Sequence, residues 1–410
     1  MSAQISHKKS IARNAIIRHL YFHKLLSCAD ISELIEKSLP LTTRYINEML
    51  EEGSIVEKGL ALSTGGRRPQ MYALAPDSFY ILAVAMDQFD TRMVLVNESN
   101  QIVGEISRKP LPLAGNENAA IDLVSNIRHF IEGSGKPANK IIGIGIGMPG
   151  FIDTKKGINY TFLPVKEKSL VELIEQSISI PVRIDNDSSL IALAELKWGA
   201  AQGRKNVMVV NIGWGVGLGI ISNGNLFRGN EGFAGEFSHI PLFDNNKLCS
   251  CGKHGCLETE TSLVVVIEKI KKGLKDGRIS LLRDLPDEEL AQSIKAIIEA
   301  AQKGDTFSIE VLSEAAYNIG RGVSILIHLL NPELIIISGI GSLAGKLWIA
   351  PIQQAINAYC IPKISENVDL KLSTLGYDAE LIGAAALVME NPLKIRGKEK
   401  SKTADRITAL

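Results

Sequence analysis

The chain has 410 residues with 45 basic and 45 acidic side chains, so no overall field draws it towards nucleic acid or a membrane. Its 45% hydrophobic and 22% charged content is that of a globular protein, and its length allows two or three domains with separate cores. The longest apolar runs fall far short of the roughly 20 residues that span a bilayer, no secretory leader pattern is visible, and the few, clustered cysteines suit a reducing compartment, so a cytoplasmic protein without a membrane partner is expected.

From Met1 to Ser27 there are five Lys/Arg and no Asp or Glu. Ile11, Ala15, Ile16, Leu20 and Phe22 follow helical spacing, which predicts a first helix. A second helix fits Ala29 to Lys37, with Ile31, Leu34 and Ile35 on one face. A third runs from Leu41 to Glu52, after Pro40, and stops at Gly53. In it Thr42, Tyr45, Ile46, Met49 and Leu50 form a stripe to be buried. Thr43, Arg44 and Asn47 lie opposite and can bond phosphates or base edges. Strands at 55–58 and 71–74 then make a hairpin whose basic tip carries Arg67 and Arg68. Helix, turn, helix and wing together predict a winged helix-turn-helix over residues 1–76, with Thr43, Arg44, Asn47, Arg67 and Arg68 as DNA contacts. Ten basic against seven acidic residues is a modest excess, so such a module needs a second copy to hold DNA well.

Beyond Pro76 the pattern becomes that of strands. Strands at 79–86, 91–97 and 101–108 form a meander, followed by a helix at 117–132, a buried strand at 141–148, a helix at 169–177 and a strand at 182–185. The same order then recurs: strands at 207–212, 215–221 and near Leu226, a helical region from 262 to 330 with a helix start at Pro286, and single strands at 334–338 and 368–372. This repeat predicts two related α/β lobes with a cleft between them, where ligands commonly sit. The polar stretch 392–410 reads as a disordered tail.

Three of the five cysteines, Cys249, Cys251 and Cys256, fall within eight positions, and His239 precedes them by ten. Three thiolates and an imidazole complete the shell of a tetrahedral zinc ion with no open position, which makes the site structural. Cys28 and Cys360 have no such pattern and read as packing residues. Glu236 and Glu258 flank the cluster.

Three motifs carry a family resemblance: Ile184-Asp185-Asn186-Asp187 leading into a helix, Gly235-Glu236-Phe237-Ser238-His239, and Cys249-Ser250-Cys251-Gly252-Lys253-His254-Gly255-Cys256-Leu257-Glu258. In these, residues 78–390 resemble the ROK family (repressor, open reading frame, kinase), and the N-terminal module resembles that of its repressor branch. The resemblance implies an actin-like body of two ribonuclease-H-like lobes, one at 78–185 completed by a C-terminal helix near 379–391, the other at 186–378. It implies zinc on His239, Cys249, Cys251 and Cys256, and sugar hydroxyls on Asn186, Asp187, Glu236, His239 and Glu258. Family glycine and asparagine are replaced by Ser238 and Ser189 at the edge of that pocket.

In the family's kinases the residue matching Asp187 is the general base, and glycine-rich loops hold the nucleotide. Here the first loop, of the form Asp-x-Gly-Gly-Thr in kinases, reads Asp87-Gln88-Phe89-Asp90-Thr91. The second, Gly-Thr-Gly-x-Gly, reads Gly213-Trp214-Gly215-Val216-Gly217, and a third glycine patch is Ser338-Gly339-Ile340-Gly341. Bulk and negative charge stand where phosphates would lie. The expectation is a non-enzymatic, sugar-responsive repressor that binds operator DNA as a homodimer or homotetramer and answers to a sugar or sugar phosphate. An ATP-dependent sugar kinase is the alternative.

Overall fold

The computed structural model describes residues 2–62, 68–286 and 290–390. Arg67, the acidic triplet after Pro286 and the expected tail at 392–410 lie outside them.

The chain opens with α1 (Ser2–His23), β1 (Leu26–Ser27), α2 (Cys28–Leu34), α3 (Leu39–Glu51), β2 (Ile55–Leu60) and β3 (Gln70–Leu74). The strands form one sheet in the order β1-β3-β2. Ser27 and Asp30 cap α2 reciprocally, and Pro40 sits in the first turn of α3, where its missing N–H costs nothing. Thr42, Ile46 and Met49 are buried and Thr43, Arg44 and Asn47 are exposed, as the periodicity of α3 requires. The apolar stripe of α1 is rotated from the expected one. Ala12, Ile16, Ile17, Leu20 and Tyr21 are buried whereas Ile11 is 56% exposed. The cause is that α1 is sandwiched: it packs on β3 on one side and on the last helix of the chain on the other. On α2, Ile31 and Ile35 are buried but Leu34 faces outward.

The first lobe is built from β4 (Tyr80–Met86), β5 (Asp90–Asn97), β6 (Ile102–Pro110), α4 (Ala119–Gly133), β7 (Ile141–Met148), the ribbon β8 (Ile152–Asp153) and β9 (Ile158–Asn159), α5 (Leu170–Ile178) and β10 (Val182–Asn186). Helix α6 (Asp187–Trp198) leads to the second: β11 (Val207–Ile212), β12 (Val216–Ser222), β13 (Asn225–Leu226), α7 (Glu258–Thr261), α8 (Leu263–Lys275), α9 (Leu290–Gln302), α10 (Thr306–Leu330), β14 (Leu334–Ser338), α11 (Lys346–Tyr359), α12 (Pro362–Ser365) and β15 (Asp369–Leu372). Helix α13 (Ala379–Glu390) follows.

The two large sheets share one topology. Their orders are β10-β7-β4-β5-β6 and β13-β12-β11-β14-β15. In each, an antiparallel meander is followed by two strands added in parallel beside its first strand. The inner strands read as near-continuous Val/Ile/Leu runs because both faces are covered. The expected two-lobed α/β architecture is therefore the one adopted.

Helix α13 returns to pack on β4, β7 and β10, and crosses α6. The crossing is close: a Cβ on Gly383 would stand 2.0 Å from the carbonyl oxygen of Leu190. Residues of α1, of one face of the first sheet, of α6 and of α13 form one continuous apolar cluster. The N-terminal module is thus fused to the body rather than tethered to it. No helix among the described residues is long and apolar enough to cross a membrane.

Candidate functional site

Strand β10 ends at Asn186, whose side-chain oxygen accepts from the backbone N–H groups of Ser188 (3.0 Å) and Ser189 (3.3 Å) and so caps α6. Its amide nitrogen lies 3.4 Å from the carbonyl oxygen of Gly150. The strand-end capping role and a place in the cleft are therefore compatible. Asp187 follows in the first turn of α6. One of its carboxylate oxygens accepts from Ser188 N (2.7 Å), while the other lies 3.4 Å from Asn211 Nδ2, and the side chain lines the cleft.

These residues line one cavity of about 320 Å³ between the lobes, together with Glu236, His239 and Glu258. All five expected sugar-site positions are brought together. Sequence reasoning missed Arg92, Asn211, Tyr377 and Glu380, which line the same cavity. For Asn211 a signal was present, since an amide breaks an apolar strand where it reaches the cleft. Glu380 opens an apolar helix, and nothing local pointed to its role.

The cavity is acidic. Burial, with the nearby Asp87 carboxylate, pushes Asp187 up to about 6. Burial and the neighbouring charges of Asp187 and Glu258 push Glu236 up to about 7. Glu380 is pushed up to about 8, chiefly by burial, although Arg92 Nη2 stands 3.4 Å away. Arg92 is itself committed, bonding the Tyr377 carbonyl (3.1 Å) and stacking 3.6 Å from the centre of that ring.

Glu380 gives a pH test. Unfolded, its carboxyl ionises near 4.5, but the fold keeps the proton to about 8. Between those values the folded state holds more protons than the unfolded one, so stability falls as pH rises through that window. Glu380→Gln removes the titration and keeps the shape. Thermal unfolding should show the variant gaining on the wild type from pH 5 to pH 8, by about 2–5 °C at the upper end; a difference that does not change with pH would contradict this.

The two departures from the glycine-rich loops meet across the cleft. Trp214 Nε1 donates to Asp87 Oδ2 at 2.9 Å, across the lobes, and the Phe89 ring meets the Trp214 ring edge-on at 5.9 Å. The N–H groups of Phe89 and Asp90, which a phosphate loop would aim at an anion, both donate to Asp87 Oδ1 at 2.8 Å. Asp90 is paired with Arg108. In the second loop, a Cβ on Gly217 would come within 2.0 Å of Ser188 Oγ. That glycine serves close packing of β12 on α6.

Beside the cavity, His239 and the three cysteines converge: one ligand atom from each lies within 4.8 Å of all the others. His239 Nδ1 is 3.5 Å from Cys249 Sγ, and Cys251 Sγ is 3.7 Å from Cys256 Sγ. A tetrahedron with Zn–S bonds of about 2.3 Å sets its sulfurs about 3.8 Å apart, so the donor set fits a closed metal site. His239 Nε2 points the other way, 3.7 Å from Glu236 Oε2. Cys28 and Cys360 stand apart from this cluster, Cys360 buried and Cys28 partly so.

The expected DNA contacts lie elsewhere. Thr43, Arg44 and Asn47 are exposed on α3, and Arg68 is exposed at the hairpin. Arg44 Nε is 3.3 Å from Glu48, to which Lys9 also pairs at 2.8 Å, and Arg13 pairs with Glu52. Part of the N-terminal basic charge thus fastens α1 to α3.

A xylose repressor of Caldicellulosiruptor bescii is 30% identical over 401 residues, covering 94% of this chain and 97% of the relative. A glucokinase of Halalkalibacterium halodurans is 35% identical over 263 residues, covering 63% of this chain and 80% of the relative. Among solved structures, a ROK-family transcriptional regulator described as a homologue of the E. coli MLC protein superimposes with a TM-score of 0.76 at 25% identity, over 94% of this chain and 96% of that one. The likeness to the regulators spans nearly the whole chain, whereas that to the glucokinase spans less than two thirds of it. The family model for ROK matches residues 82–391, which hold both lobes and the Cys/His cluster of the second, and the chain belongs to the ROK family.

Proposed function

We propose that the protein is a sugar-responsive transcriptional repressor of the cytoplasm. Residues 1–76 form the operator-binding module, 78–185 with the helix near 379–391 one lobe, and 186–378 the other. It acts as a homodimer or homotetramer, so that paired modules meet paired half-sites. Asn186, Asp187, Glu236, His239 and Glu258 hold the hydroxyls of a sugar or sugar phosphate. The carboxylates around the cavity favour an uncharged sugar, since Arg92, the guanidinium among its lining residues, is already paired. His239, Cys249, Cys251 and Cys256 hold a structural zinc, which would fix the loop that carries Glu236 and the start of α7 at Glu258.

One observation carries the reading: helix α6 begins at the cavity and ends at the N-terminal module. Its first residue is Asp187, and its last, Trp198, packs on Tyr21 (5.8 Å between rings) and Phe22 (5.6 Å) of α1. A sugar that favours one lobe arrangement would shift this helix and with it the spacing of the paired modules.

The pairing of Asp87 with Trp214 supports the absence of phosphoryl transfer, because it occupies the position of a phosphate loop. A coupled assay with ATP, magnesium and a panel of hexoses and pentoses tests this. No sugar-dependent ADP release is expected; steady turnover in the range of about 1–100 s⁻¹ would make the protein a kinase.

For the DNA face, Arg44→Ala is expected to weaken operator binding by about tenfold, and affinity should fall steeply with salt. Anisotropy titrations against DNA selected by the protein itself would measure both. Unchanged binding in Arg44→Ala and in Arg68→Ala would remove this face from the account.

A further inference from the structure

The mouth of the cavity carries aromatic side chains that binding of a single sugar's hydroxyls does not explain. Phe151, just beyond β7, is 40% exposed, and Tyr160, just beyond β9, is 50% exposed. Phe233, from the second lobe, meets both edge-on, at 5.4 Å from Phe151 and 6.3 Å from Tyr160. Phe151, Phe162 and Phe233 line the cavity itself.

This wall is held in place. Phe151 N donates to Thr161 Oγ1 at 2.9 Å, and Tyr160 N donates to the Phe151 carbonyl at 2.9 Å. Asn159 Oδ1 accepts from the N–H groups of Thr161 (2.9 Å) and Phe162 (3.0 Å), and Asn159 Nδ2 reaches the Pro149 carbonyl at 3.1 Å. It also adjoins the hydroxyl-binding groups. Asn186 reaches the carbonyl of Gly150, the residue before Phe151, and Glu236 lies three residues after Phe233. Rings left facing water at a preformed site gain from being covered, and aromatic faces take flat apolar partners.

We propose that this wall is a second subsite, which receives a flat ring joined to the sugar, so that the effector is a glycoside and not a free monosaccharide. The inference rests on the sugar-sensing reading above. The sugar sits against the carboxylates, and the attached ring, an aromatic aglycone or the apolar face of a second pyranose, lies over the wall that Phe151 and Phe233 form together. Since these rings come from different lobes, a ring bound there touches both and favours the arrangement in which they meet.

Calorimetric titration of the full chain with matched pairs tests this: the methyl and phenyl glycosides of glucose, xylose and N-acetylglucosamine in both anomers, with the corresponding β-linked disaccharides. For the sugar that binds, the ring-bearing member is expected to bind about tenfold tighter than the methyl glycoside. Phe233→Ala and Phe151→Ala should abolish that ratio while leaving methyl glycoside affinity within about threefold of wild type. Phenyl glycosides and disaccharides then report which kind of ring is preferred. Equal affinity within every pair, with methyl glycosides still binding, overturns the subsite alone and reduces the aromatic contact to packing between lobes. Survival of the ratio in both variants overturns it as well. If no sugar or glycoside binds at all, the sugar-sensing reading fails, and the subsite with it.

Discussion

Cys256→Ser is expected to remove the metal and, with it, at least about a hundredfold of sugar affinity. Cys256 is fully buried, its sulfur 3.7 Å from Cys251 Sγ and 3.6 Å from the carbonyl oxygen of His239. The segment around it is held by turns and isolated bridges, with no helix or named strand between Ile240 and Leu257. Cys249 N bonds the Lys253 carbonyl (2.8 Å), the N–H groups of Leu242 and Phe243 bond the Gly255 carbonyl (2.9 and 3.0 Å), and two isolated bridges join its turns. On the proposed reading a closed zinc site ties these turns together; such sites are worth about 10–16 kcal/mol in small zinc-dependent peptides. Two residues on, Glu258 begins α7, and His239 links the cluster to the cavity, so loss of the metal frees both from position. The apolar cores lie in the two lobes, one of them continuous with that of the N-terminal module, so the variant should remain folded and bind operator. Elemental analysis should find about one zinc per wild-type chain and almost none in the variant. A zinc-free variant that binds sugar as wild type does would show that the cluster plays no part in shaping the cavity.

Trp198→Ala should separate sensing from response. Trp198 packs on Phe22 with the two rings tilted and meets Tyr21 edge-on, while Lys197 Nζ lies 4.8 Å over the Phe22 ring and pairs with Glu390 at 2.7 Å. The Trp198 indole nitrogen is buried and makes no hydrogen bond among the described residues, so its contribution is packing. Truncation opens a cavity at the junction of α6 with α1, costing about 3–5 kcal/mol of local packing. Sugar affinity should stay near wild type, because Asn186 and Asp187 are at the other end of the helix. Operator affinity without sugar should change little, because α3 is untouched. The release of operator by sugar should be lost or cut at least about tenfold, and Trp198→Phe should restore part of it. Sugar binding and operator release measured on one preparation give the comparison. Undiminished release in Trp198→Ala would exclude the α6 junction as the link.

What could be read from the sequence was local or periodic. Alternating and apolar runs gave both sheets, the spacing of Cys249, Cys251 and Cys256 gave the cluster, and the faces of α3 followed from its 3.6-residue period. Contacts between residues far apart in the chain left no such trace. Phe89 and Trp214 were legible as departures from phosphate loops, but not that Trp214 bonds Asp87, 127 residues away, and turns two broken loops into one closed contact. Arg92 and Glu380, 288 residues apart, are joined only because α13 returns to the first sheet. The stripe of α1 was misplaced by a residue because helical spacing does not register a helix buried on two sides. The aromatic wall was invisible for the same reason, since Phe151 and Phe233 come from different lobes.

Sugar alone is expected to change the hold on DNA. The direct measurement is operator affinity as a function of sugar or glycoside concentration, with no nucleotide present. Affinity should fall at least about tenfold at saturating effector, and ATP with magnesium should add nothing. Operator binding that ignores every sugar until ATP is supplied, with a phosphorylated sugar accumulating, would contradict the account.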